Sequence, residues 1–148
     1  MSKQALMFLF ERDLEQLTKE ISAYSEESAL WVIDGDIRNS GGNLCLHICG
    51  NLQHFVGKML GNSDYVRQRE QEFSDKDVPT TTLVALIETT KKVVLETIDS
   101  LSAEDMKKKE PVEFYKKDMD VEQFLIHLFG HMSYHLGQIN YHRRLLNN

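Results

Sequence analysis

The sequence predicts an all-α chain built as a four-helix bundle with long crossover connections. Three observations carry that expectation. Four long stretches repeat apolar residues at helical spacing, and no stretch alternates convincingly with period two. The 148 residues hold only two prolines and eight glycines, which suits long helices better than many strands and turns. At this length the chain is expected to form one domain, residues 1–148, large enough to bury a real core.

The first helix should run from Lys3 to about Tyr24. Leu6, Phe10, Leu14, Leu17 and Ile21 recur at steps of four and three, with Glu and Lys on the other side. Ser25-Glu-Glu-Ser interrupts it. Leu30-Trp-Val-Ile reads as a helical turn or a packed loop, with Trp31 as a core anchor. Asn39-Ser-Gly-Gly-Asn combines a loop signal with capping chemistry. A second helix should follow from about Asn43 to Leu60, carrying His47, Asn51, His54, Phe55 and Met59, and Gly61-Asn ends it.

Residues from Tyr65 to Val78 are charged and irregular, an ordered loop with some helix and of a length often tied to function. Pro79 fits the first turn of a third helix reaching about Leu101, with Leu83, Leu86, Ile87, Val93, Val94 and Ile98 on its apolar face. Ser102 and Asp105 form a capping box that opens a short turn. A connection from Glu110 to Met119, with one proline, has extended character. Asp120 and Gln123 make a second capping box, and the last helix should run on to about Leu146. The connections 61–78 and 102–119 are long enough to permit parallel neighbours.

Net charge is −6 with His counted neutral, which disfavours a nucleic-acid partner. The local basic runs, Lys107-Lys-Lys and Lys116-Lys, are flanked by acidic residues. The N-terminal apolar run is too short for a signal-peptide core, and no run reaches the ~18 residues of a membrane span. A cytoplasmic protein without membrane contact is expected. Cys45 and Cys49, four apart on a helix, read as buried thiols on the side away from His47.

Chemistry concentrates in the last helix. It holds four of the six histidines, His127, His131, His135 and His142, and the first three are spaced i, i+4, i+8. Each four-residue step rotates only about 40°, so those three share one face. Neutral imidazoles bind divalent ions, and an i, i+4 pair can grip one ion together. A single helix cannot easily wrap one ion with all three, because the outer two emerge ~12 Å apart. Spacing alone does not choose between His127/His131 and His131/His135. A third ligand should come from the second helix, which offers His47 and His54, and spacing does not choose there either. A catalytic site would use three such ligands and keep a position open.

The blocks Leu44-Cys-Leu-His-Ile-Cys-Gly-Asn-Leu-Gln-His-Phe, Tyr65-Val-Arg-Gln-Arg-Glu-Gln-Glu-Phe and His131-Met-Ser-Tyr-His-Leu-Gly-Gln-Ile resemble the DinB/YfiT-like superfamily, and most closely its DUF1572-type bacterial branch. The resemblance spans nearly the whole chain. It implies a four-helix bundle, often dimeric, with a metal triad of His47, His131 and His135 and a preference for nickel or zinc. It further implies either thiol-dependent S-transfer onto a small electrophile, with a low-molecular-weight thiol as cofactor, or metal-dependent hydrolysis. Arg67 and Arg69 would bind a carboxylate of the cofactor or substrate, weighed against a surface salt-bridge cluster with Glu70 and Glu72, and Gln138 would orient a water or ligand or else make a helix–helix hydrogen bond. His54 and His127 would support the site from outside. The alternative is a non-enzymatic dimeric bundle whose histidines are structural or vestigial.

Overall fold

Ser2 opens the first helix by accepting a hydrogen bond from the Ala5 N–H at 3.1 Å, and α1 runs over Lys3–Ser22. It stops two residues before the expected Tyr24. Its stripe of Leu6, Phe10, Leu14, Leu17 and Ile21 is fully buried, as the periodicity predicts. The computed structural model describes residues 1–110 and 118–147; Pro111 and the Lys116-Lys run lie outside the described residues. The chain is mostly helical.

After a 3-10 turn over Glu27–Trp31, Ser40 caps α2 (Gly41–Leu52) by accepting from the Asn43 N–H at 3.2 Å. The helix thus begins two residues ahead of the expected Asn43. Gly42 sits there because a Cβ would lie 2.7 Å from the Trp31 ring, so the two elements meet in van der Waals contact. Trp31 is half-buried, and the fully buried anchor of its turn is Leu30.

Beyond Leu52 the chain continues as a π-helical stretch, Gln53–Leu60, an irregularity that apolar spacing does not reveal. Winding by i→i+5 changes the angular advance per residue, so the buried stripe of α2 cannot be extrapolated along it. Met59 on this stretch is 38% exposed, whereas Met132 on α5 is buried.

The charged stretch contains a short helix, α3 (Arg69–Ser74). Pro79 lies just outside α4 (Thr80–Ser100), with its carbonyl accepting from Leu83 N–H. Ser102 and Asp105 form the expected box, with mutual side-chain-to-backbone bonds of 2.9 and 3.1 Å, ahead of a 3-10 turn at Asp105–Lys107. The next connection is closed by a two-residue antiparallel pair, β1 (Lys109–Glu110) with β2 (Met119–Asp120). Asp120 and Gln123 complete the second box, and α5 spans Val121–Leu146.

The four long helical segments share one core. Helix α1 packs on α4 and α5, and α2 packs on α3, α4 and α5. A polar seam ties α1 to α5: Ser133 donates to Asp13, while Asn140 and Arg143 both donate to the buried Glu20. No helix among the described residues is long and apolar enough to cross a membrane.

Candidate metal centre

Helix α2 carries His47 and α5 carries His131 and His135, and the packing of α2 on α5 brings their rings together. The ring centroids lie 5.1 Å apart from His47 to each of the others and 4.5 Å apart between His131 and His135. His131 Nε2 sits 3.3 Å from His47 Nε2 and 3.2 Å from His135 Nε2. One nitrogen from each of the three residues falls within 4.8 Å of the other two.

The spacing and the proton positions both fit a cation. Ligand nitrogens held at ~2.0–2.1 Å in a tetrahedral array lie about 3.3–3.4 Å from one another. The two gaps to His131 Nε2 match that value, and the His47 and His135 nitrogens lie within 4.8 Å of each other. His47 Nδ1 donates to Glu72 Oε1 at 3.0 Å, and His135 Nδ1 donates to the amide oxygen Gln138 Oε1 at 2.7 Å. Each bond puts the ring proton on Nδ1 and leaves Nε2 with a free lone pair. His131 Nε2 carries at most one proton and so cannot satisfy both neighbours at once, whereas a divalent ion would meet all three lone pairs. Burial, then the neighbouring imidazoles, push the His131 pKa down to about 4. Burial likewise lowers that of His135. Both rings are therefore neutral and able to ligate at ordinary pH.

Glu72 is the residue that sequence reasoning missed as part of the site; it reads there only as a salt-bridge partner for the loop arginines. It is buried on α3 and held from three sides. Arg67 clasps it with Nε on Oε2 and Nη2 on Oε1, both at 2.8 Å. Asn43 Nδ2 donates to the Glu72 and Asp75 carbonyls at 3.0 and 2.9 Å, tying α3 onto α2. Gly50 leaves the space the carboxylate fills, since a Cβ there would lie 2.2 Å from Glu72 Oε2. Burial opposes ionisation of Glu72, but the bonds from Arg67 and His47 outweigh it and hold the carboxyl below its usual range. A carboxylate that orients and polarises a histidine in this way is a common outer partner of metal ligands. The sequence signal was faint: an acidic residue flanked by arginines in a long loop, opposite a glycine one turn past His47.

The other proposed site residues fall in different places. Arg67 is committed to the Glu72 carboxylate, with its guanidinium 5.8 Å from the Phe55 ring centroid. Arg69 is exposed and stacks over Phe73, whose ring packs 4.9 Å from that of His47. Gln138 is exposed, and its oxygen is occupied by His135. His54 packs edge-on against Phe55, with its buried Nδ1 unpartnered among the described residues, as is the buried Asn51 Oδ1. Neither His54 nor His127 belongs to the three-residue cluster, and burial lowers the pKa of both. Cys45 and Cys49 are free and fully buried. Tyr134 and Tyr141 are largely exposed.

The sequence matches the family described as "Protein of unknown function (DUF1572)" over residues 3–148. The chain belongs to the DUF1572 family. A search of curated proteins found no match to it. Within this DUF1572 chain, the three-histidine cluster is the group of side chains, among the described residues, that could hold a metal ion.

Proposed function

We infer that this DUF1572 chain is a DinB/YfiT-like four-helix bundle whose His47, His131 and His135 bind one divalent ion, zinc or nickel, at a catalytic centre. The observation that carries this reading is the pair of gaps, 3.3 and 3.2 Å, from His131 Nε2 to the Nε2 atoms of His47 and His135, whose ring protons point outward to Glu72 and Gln138. Three imidazoles without a fourth protein ligand among the described residues favour an open site over a closed structural one. A bound ion would supply Lewis acidity, lowering the pKa of a thiol or water at its open position.

The reaction in view is thiol-dependent S-transfer onto a small electrophile, or hydrolysis. Glu72 and Arg67 would fix His47, Gln138 would fix His135, and the exposed Arg69 would meet an anionic group of a thiol cofactor. The protein would work as a cytoplasmic, single-domain homodimer on a small molecule.

The test is metal analysis of the purified protein after incubation with zinc or nickel and desalting. The wild type should retain about one ion per chain, and His131→Ala should lose it while keeping its helical circular dichroism. An unchanged metal content in His131→Ala would refute the assignment.

A further inference from the structure

A cleft of about 670 Å³ lies between residues 32–39 and the last three turns of α5. Its walls are chiefly apolar, from Val32, Ile37, Leu44, Tyr141, Leu145 and Leu146. Its size is that of a small-molecule site. Gln138 belongs both to this cleft and to the metal centre: it lines the one, and its oxygen takes the Nδ1 proton of His135 in the other. Helical geometry explains the continuity. His131, His135, Gln138 and His142 fall within about 60° of one another around α5, so one stripe leads from the triad into the cleft.

The floor of the cleft is rigid. His142 Nε2 donates to the Val32 carbonyl at 2.9 Å, and its Nδ1 accepts from the Tyr24 hydroxyl at 2.7 Å. Gly41 allows this close approach, because a Cβ would lie 2.1 Å from the Tyr24 oxygen. The wall of residues 32–39 is thereby pinned to α5. It turns at Gly35, which adopts φ +58°, with the Asp34 carboxylate accepting from the Gly35 N–H. Asp34 and Asp36 stand against Arg38 in the lining, a small acidic excess that disfavours an anionic body, and the apolar walls set the preference.

We propose that this cleft holds the body of the molecule acted on at the His47/His131/His135 centre, and that this molecule is elongated and largely apolar with its metal-binding group at one end. The inference rests on the metal reading above. From Gln138 to Leu146 the stripe extends ~12 Å along α5, room for a chain of about eight to ten bonds.

The probes are n-alkyl hydroxamic acids from acetohydroxamic to octanohydroxamic acid, titrated calorimetrically into the zinc-loaded protein. Each methylene that enters the cleft should tighten binding roughly twofold to fourfold, so the longest probe should bind on the order of 100-fold more tightly than the shortest. Ile37→Asp and Leu145→Asp alter side chains that are already 44% and 72% exposed, so folding should survive. Both should flatten the chain-length dependence by at least about tenfold, while Phe8→Asp, on exposed α1 surface, should leave it steep. Equal affinity across the series in the wild type would overturn the cleft assignment alone. So would an undiminished dependence in both cleft variants. Failure of every probe, acetohydroxamic acid included, to bind zinc-treated protein would overturn the metal reading and this inference with it.

Discussion

Glu72 decides more about the site than its distance from the open face suggests. The His47 Nε2 lone pair is aimed by what holds Nδ1, and what holds Nδ1 is a carboxylate fixed by Arg67 and seated over Gly50. Glu72→Gln keeps the shape but removes the charge that Arg67 and His47 share. Metal affinity should fall about 10- to 100-fold, read by competition with a chelating dye, with little change in fold. Gly50→Ala makes a sharper case because it alters no ligand and no polar group. Its Cβ would meet the Glu72 carboxylate at 2.2 Å and its Cδ at 2.7 Å, so the side chain must leave its seat. The expected result is a similar loss of metal affinity with helix content retained. Wild-type affinity in both variants would show that His47 is aimed by its own helix alone.

At the scale of elements, the joint between α1 and α5 pairs apolar packing, Phe10 edge-on against Phe129, with a buried polar seam. Glu20 is only 4% exposed and accepts from Arg143 at 2.6 Å and from Asn140 at 2.8 Å. Burial opposes its charge, yet those bonds and one from Gln16 win, and its pKa in the folded chain lies below the ordinary value. A depressed carboxyl pKa contributes stability above the unfolded value, ~4.3, and loses that contribution as pH falls through the folded value. Glu20→Gln should therefore lower the urea midpoint at pH 7, by about 2 kcal/mol in stability. The deficit should shrink as pH drops below ~4. A constant deficit down to pH 3 would mean that packing, not charge, is what the substitution disturbs.

The same scale shows what was legible in the residues. Helix α5 was readable end to end, because a capping box marks its start and a register of histidines marks its working face. The α1 stripe was equally plain, since apolar spacing reports burial directly. The π-helical stretch at Gln53–Leu60 was not legible: Gly57 and Gly61 approach Val93 and Thr97 of α4, and that fit is tertiary. The role of Glu72 was hidden for a related reason. A buried charge carries no periodic signal, and apart from Arg67, five residues away, its neighbours Asn43, His47 and Gly50 lie on α2, distant in sequence.

For the whole molecule, the triad with an ion bound would act as a cross-link. It would join α2 to α5 between residues 84 positions apart in sequence, and through Glu72 it draws in α3. A ligand that binds only the folded chain stabilises it by RT ln(1 + [L]/Kd), about 2.7 kcal/mol when free metal stands at 100 times Kd. In a chain of this size each kcal/mol moves the melting temperature by roughly 2–4 °C, so saturating zinc should raise it by about 5–10 °C. His47→Ala should abolish the rise, because α5 alone then holds the ion with two ligands. Glu72→Gln should lower the metal-free melt as well, because it breaks the buried pair with Arg67, and should shift the zinc concentration needed for a given rise upward by the factor lost in affinity. A zinc-dependent rise of the same size in His47→Ala would mean that α2 is not bound to the ion, and that the two helices meet at this point for packing alone.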